Sequence, residues 1–185
     1  MKIVLIGKTA SGKTSIAKHL EKLGYDRIIT DTTRPMREGE KNGVDYNFID
    51  VAEFLANAKA KKYAEYTYLN TKFGRWYYGS KLESYNESGD KCIVLTPDGV
   101  RSVLATRNSR DDILVVYIKV RSETLSERLK KRGDDPDEAR RRLLADEMDF
   151  VGAEKLANIT ILEVLSPEAA AKFIVEKVKE MEKNV

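Results

Sequence analysis

The chain has 185 residues, of which 42% are hydrophobic and 34% charged, with a formal net charge of +3. That composition supports one buried core of ordinary domain size and excludes a disordered chain, and so small a positive balance does not by itself mark a nucleic-acid or membrane surface. The N-terminus lacks a secretory signal pattern and no apolar run approaches the ~18 residues needed to cross a bilayer, so the expected location is the cytoplasm.

In chain order, "KIVLIG" (Lys2 to Gly7) reads as a continuous apolar strand, followed by the glycine-rich "GKTASGKT" (Gly7 to Thr14) and a helical pattern in "KTSIAKHLEKLG". "RIIT" (Arg27 to Thr30) reads as a second strand. From Asp31 to Ser88 the pattern changes to alternating, aromatic-rich segments with Gly and Asn at their junctions, the signature of a small, mostly antiparallel insertion with the helical "VAEFLANAKA" inside it. "CIVLT" (Cys92 to Thr96), "ILVVYIKV" (Ile113 to Val120) and "ITILEV" (Ile159 to Val164) read as further buried strands, alternating with helical patterns in "DGVRSVLATRN", "SETLSERLKKRG" and "SPEAAAKFIVEKVKEME". Strands of this kind joined through helices predict a parallel sheet. In "RGDDPDEARRRLL" an exposed turn leads into a helix, with Asp135 as N-cap and Pro136 at its first position. Cys92, the only cysteine, reads as a buried strand thiol, and the lone His19 as a surface or helix-packing residue.

"GKTASGKT" fits G-x-x-x-x-G-K-[ST] between a strand and a helix, the arrangement in which successive backbone N–H groups and the helix N-terminus hold phosphate. Gly7, Lys8, Thr9, Ala10, Ser11 and Gly12 form the loop; Lys13 is placed to reach β- and γ-phosphates, and the Thr14 hydroxyl suits a magnesium ion shared with the nucleotide. The pattern indicates ATP or GTP and leaves the acceptor open.

Arg34 and Arg37 flank a proline in a turn expected to expose them, and paired guanidiniums suit a dianionic phosphate; Tyr46 and Tyr78 can donate hydroxyls to the same oxygens. By residue type alone they are equally surface ion pairs and a small aromatic core. The stretch "TDTTRPMREGEKNGVDYNF" resembles the monophosphate-binding stretch of guanylate kinases, and the likeness continues in "AEY" around Glu65, "YYGS" at Tyr77 to Ser80, "RLKKRG" and "RRRL". The resemblance implies an α/β P-loop NTPase fold of three layers, with a central parallel sheet, an inserted mixed α/β nucleotide-monophosphate-binding subdomain and a helical lid. It implies one domain over 1–185: a core of 1–30, 89–132 and 143–185, the subdomain at 31–88 and the lid at 133–142. By the same resemblance Arg34, Arg37, Tyr46 and Tyr78 bind the substrate phosphate, while Glu65 reads guanine with help from Thr30 and Ser80. Arg128, Arg132 and Arg142 become lid arginines that join Lys13 in catalysis, with Arg141 interchangeable for the last, although each also reads as part of a solvated basic helix.

The family's acidic "DxDxxG" segment is here "TPDGV", so Asp98 would fill one acidic role from a shifted position. The loop between Glu65 and Tyr77 is longer than the family norm, and the adenine-side "NDD" is replaced by "LEVLSPE". The expected activity is magnesium-dependent transfer from ATP to GMP or dGMP, by a monomer or homodimer, with no nucleic-acid or membrane partner. The alternatives are a related kinase for another nucleotide or a ribosyl phosphate, and a non-catalytic peptide-binding module.

Overall fold

The computed structural model describes residues 1–71, 74–106, 112–163 and 166–183. In chain order the elements are β1 (Lys2–Ile6), α1 (Lys13–Lys22), β2 (Asp26–Arg27), β3 (Asp31–Thr32), β4 (Asn47–Phe48), α2 (Val51–Lys59), β5 (Tyr63–Thr71), β6 (Gly74–Lys81) and α3 (Leu82–Asn86). They continue as β7 (Lys91–Val94), α4 (Pro97–Ala105), β8 (Ile113–Lys119), α5 (Ser122–Arg132), α6 (Pro136–Asp149), a 3₁₀ turn (Ala153–Leu156), β9 (Ile159–Leu162) and α7 (Pro167–Glu182). Two compact units result: Met1–Arg27 with Gly89–Val100 and the described part of Ser109–Val185, and Ile28–Ser88 with the described part of Arg101–Asn108.

The first unit is a parallel α/β sheet in the order β2-β7-β1-β8-β9. All five positions of β1 are buried, as required of a strand covered on both faces. On one face Ile3, Leu5, Leu114, Val116 and Ile118 pack with Ile16 and Leu20 of α1 and with Ala171 and Ile174 of α7. Cys92 lies in the same core, and burial pushes its thiol up to about 12, so it is inert in the way the apolar run suggested. The predicted start of α6 is present: the Asp135 carboxylate accepts the Glu138 N–H at 2.9 Å and Pro136 occupies the first turn.

The second unit is a four-stranded sheet in the order β4-β3-β6-β5, antiparallel except for the β3–β4 pair. Its core is aromatic. Phe54 of α2 stacks on Tyr63 at 4.6 Å and lies 5.3 Å from Tyr77. Asp31, 1% exposed, is made tolerable inside this unit by accepting from the Asn47 amide and the Tyr63 hydroxyl, each at 2.9 Å.

Two expectations change. "RIIT" is not a strand: only Asp26 and Arg27 pair with β7, after which the chain leaves that sheet and re-enters pairing at Asp31 against β6. The segment after Glu65 is not a loop but the body of a hairpin, paired from Tyr66↔Gly79 to Thr71↔Gly74. Of the predicted elements, Arg107 and Asn108 of the helical pattern "DGVRSVLATRN", Val164 of the last strand, and Lys72 and Phe73 lie outside the described residues.

Gly79 sits where β6 crosses the aromatic core: a Cβ there would lie 3.0 Å from the Tyr66 Cβ and 3.1 Å from both Phe54 and Tyr63. Stiff rings cannot yield cheaply, so Gly79→Ala is expected to destabilise this unit by about 1–3 kcal/mol. Urea unfolding followed through Trp76, the only tryptophan, reports it; an unchanged midpoint would contradict the packing described.

Candidate active site

The glycine-rich loop is shaped by one close approach and two left-handed residues. A Cβ on Gly7 would lie 2.6 Å from Ser11 Oγ and 2.7 Å from the Ile118 carbonyl oxygen of β8, so Gly7 is required for space. The left-handed turns fall at Gly12, with φ 101°, and at Ala10, with φ 62°. An alanine thus takes one of the demanding positions at a steric cost. Lys13 opens α1 and folds its ammonium back over the loop, donating to the carbonyls of Gly7 at 2.6 Å and Lys8 at 2.8 Å and reaching the buried Ser11 hydroxyl at 3.3 Å. Burial lowers its pKa from 10.5 to about 8, with Asp146 pulling the other way.

A cavity of about 360 Å³ opens beside this loop, lined by Ala10 to Ser15 together with Arg128, Arg132 and Pro167. The Thr14 hydroxyl is an exposed hard-oxygen donor on that lining, the kind of ligand magnesium accepts while shared with phosphates. Arg128 donates to the Ala10 carbonyl at 3.1 Å, which ties α5 to the loop. Arg132 lines the same cavity but forks onto Asp134, with both contacts at 2.5 Å. Arg142 pairs with Glu138 at 2.8 Å and with Asp134 at 3.6 Å, and Arg141 forks onto Glu138. These carboxylates are held well below their usual range by hydrogen bonds from the arginines, Glu138 at about 2.

Two α6 carboxylates also reach the loop, and sequence reading did not single them out. Asp146 accepts the Thr9 backbone N–H at 2.5 Å, and Glu147 meets the Lys8 ammonium at 2.5 Å and the Ser122 hydroxyl at 3.0 Å. Their only sequence signal is an "i, i+1" acidic pair on a helix, which ordinarily means a solvated face.

In the second unit the Thr-Thr-Arg turn is fastened to β6: Thr32 Oγ1 donates to the Tyr77 carbonyl at 3.0 Å, and Thr33 Oγ1 accepts the Tyr77 N–H at 2.9 Å. Arg34 is not exposed as expected but 5% accessible, forked onto Glu40 at 2.7 and 3.0 Å and lying over the rings of Tyr46 and Phe48. The guanidinium lies back on its own loop, where its Nη1 also donates to the Pro35 carbonyl at 2.7 Å. Arg37 is exposed and its backbone N–H donates to Glu40 at 2.7 Å. Tyr46 and Tyr78 meet edge to face at 6.2 Å, so Arg34, Tyr46 and Tyr78 form one cluster, with burial raising the Tyr78 pKa and Arg34 opposing it.

Glu65 is 7% exposed, not an ordinary surface strand residue. Its Oε1 accepts both the Ser80 N–H at 3.0 Å and the Ser80 hydroxyl at 2.6 Å. Burial raises its pKa and these two bonds lower it. Thr30 is half-buried ahead of β3, with its carbonyl accepting the Asn47 N–H at 3.0 Å. Asp98 stands exposed in the first turn of α4 and belongs to the first unit, whereas Glu65, Ser80 and Thr30 belong to the second.

Residues 1–156 match the family model described as guanylate kinase. A guanylate kinase of Myxococcus xanthus (strain DK1622) is 33% identical over 148 residues, covering 77% of this chain and 69% of its own. One from Legionella pneumophila (strain Paris) is 31% identical over 156 residues, covering 80% and 71%. The crystal structure of guanylate kinase from Anaplasma phagocytophilum superposes with a TM-score of 0.70 at 21% identity, covering 97% of this chain and 85% of that one, a likeness of P-loop fold.

The Lys13 ammonium, lowered to about 8 by burial, is expected to rise on contact with polyphosphate because an opposite charge favours its protonated form. ATP binding at pH 9 is therefore expected to take up a sizeable fraction of a proton, and near pH 7 almost none, so affinity falls as pH climbs above about 8. Calorimetry in buffers of different ionisation enthalpy measures this; equal uptake at the two pH values would contradict it.

Proposed function

The chain belongs to the guanylate kinase family, and from that premise we infer that it transfers the γ-phosphate of ATP to GMP or dGMP, giving ADP and GDP or dGDP. The observation that carries the acceptor is Glu65, buried yet held by two donors from Ser80. A carboxylate fixed in this way complements the N1–H and 2-amino donors of guanine, a pair that adenine does not offer. Thr30 and Ser80 hydroxyls assist at the base, with Asp98 as the shifted acid.

Phosphoryl transfer asks the protein for in-line positioning and positive charge. The loop from Gly7 to Thr14 holds the donor phosphates through backbone N–H groups, and Lys13 releases the Gly7 and Lys8 carbonyls to meet them. The Thr14 hydroxyl would hold a magnesium ion, which when bound would supply positive charge to the donor phosphates. Arg34, Arg37, Tyr46 and Tyr78 bind the acceptor phosphate; Glu40, by holding Arg34 in a fork, fixes its plane in advance. Arg128, Arg132 and Arg142 supply charge to the migrating group, the latter two by exchanging Asp134 or Glu138 for phosphate oxygens. The division into core, monophosphate-binding subdomain 31–88 and lid 133–142 goes with these roles, as do a cytoplasmic location and a monomeric or homodimeric enzyme.

The well-formed loop with Lys13 in place supports catalysis over a peptide-binding role. A panel of GMP, dGMP, AMP, CMP, UMP and a ribosyl phosphate tests the acceptor: turnover is expected on the guanine nucleotides, and activity confined to another member would refute the reading. Lys13→Ala is expected to lower kcat about 10²-fold or more, and Glu65→Gln to cut the preference for GMP over AMP about tenfold or more without loss of fold, both read by steady-state kinetics.

A further inference from the structure

The Glu65–Ser80 pair does not stand alone. α3 begins directly after β6, and its first turn brings Tyr85 under the strand, where the whole side chain is buried at 0% exposure. The Tyr85 hydroxyl lies 2.8 Å from Ser80 Oγ, which is itself 2.6 Å from Glu65 Oε1. Serine has a single hydroxyl proton, and an ionised carboxylate can only accept. Ser80 therefore spends its proton on Glu65, and the proton between Ser80 and Tyr85 must come from the tyrosine. The order Tyr85 O–H to Ser80 O–H to Glu65 carboxylate follows from that count.

From this geometry we propose that Tyr85 is a positioning residue for base selection: it donates to Ser80 and thereby orients and polarises the hydroxyl that holds the Glu65 carboxylate against the base. The proposal rests on the reading that Glu65 meets guanine. Aligned donors strengthen one another in a low-dielectric interior, so the terminal bond to Glu65 is firmer with Tyr85 than without it. Without the phenol, Ser80 Oγ keeps an unsatisfied lone pair in a buried place and its proton is free to be drawn elsewhere.

Tyr85→Phe keeps the ring and deletes the chain's first donor. The expected result is a KM for GMP raised about three- to tenfold, the size of one hydrogen bond, with kcat and the KM for ATP within about twofold and the melting temperature nearly unchanged. Preference for GMP over AMP falls by the same factor. Since Tyr85 acts only through Ser80 in this scheme, Tyr85→Phe added to Ser80→Ala is expected to change the KM for GMP no further; additive effects would overturn the proposal. Fluorotyrosine at position 85 keeps the ring and sharpens the donor, and is expected to lower the KM for GMP, which keeps the idea testable if the phenylalanine variant does not fold. An unaltered KM in both replacements, while Glu65→Gln still erodes base preference, would sink the role of Tyr85 alone. Full base preference in Glu65→Gln would instead sink the guanine reading on which it stands.

Discussion

A bare backbone at Gly7 is the condition on which the phosphate loop depends. Strand β1 runs between β7 and β8, and at its end the chain must pass so near the Ile118 carbonyl and the Ser11 hydroxyl that no side chain fits. That approach lets the loop fold over its own strand end, puts the Gly7 and Lys8 carbonyls within reach of the Lys13 ammonium, and sets α1 in line with the cavity. The apolar burial of β1 supplies the rigidity against which this tight contact is held.

The electrostatics of the two units have a common character. Carboxylates hold arginines in both: Glu40 holds Arg34, Asp134 holds Arg132 and Glu138 holds Arg142. Arg34 is nearly inaccessible and its fork geometry is fixed, whereas Arg132 is exposed and Arg142 half-buried, so the latter ion pairs are the more weakly bound and the more readily exchanged. The distinction suits the two tasks proposed for them: a rigid seat for a phosphate that arrives bound to its nucleotide, and adaptable cations for one in transit.

Much of this was legible from residue order because the relevant signals are local. The β1 run, the loop motif, the cap at Asp135 and the aromatic insertion each depend on a few neighbouring residues. What was not legible depends on partners far along the chain or on competition between near-equivalent choices. "RIIT" has strand composition, but only Arg27 pairs, against β7, and pairing resumes at Asp31 in the other sheet, so Ile28 to Thr30 pair in neither. Glu65 alternates in a strand like any exposed residue, and only Ser80, fifteen positions on, explains why it is buried. Arg34 had Glu38 and Glu40 as neighbours, and the backbone of the Pro35 turn decided between them. Ala10 in a left-handed conformation is invisible in a motif whose middle positions accept any residue.

The carboxylate of Asp146 on the Thr9 amide gives the loop a resident anion. An incoming phosphate oxygen that takes this amide displaces a tethered protein oxygen and not merely water, and a tethered group competes with the effective concentration set by its own short reach. Measured nucleotide affinity is then a difference between two anions for one donor. Weakly charged ligands gain little from that exchange, while a polyphosphate, with many oxygens and the Lys13 ammonium to engage, outbids the helix.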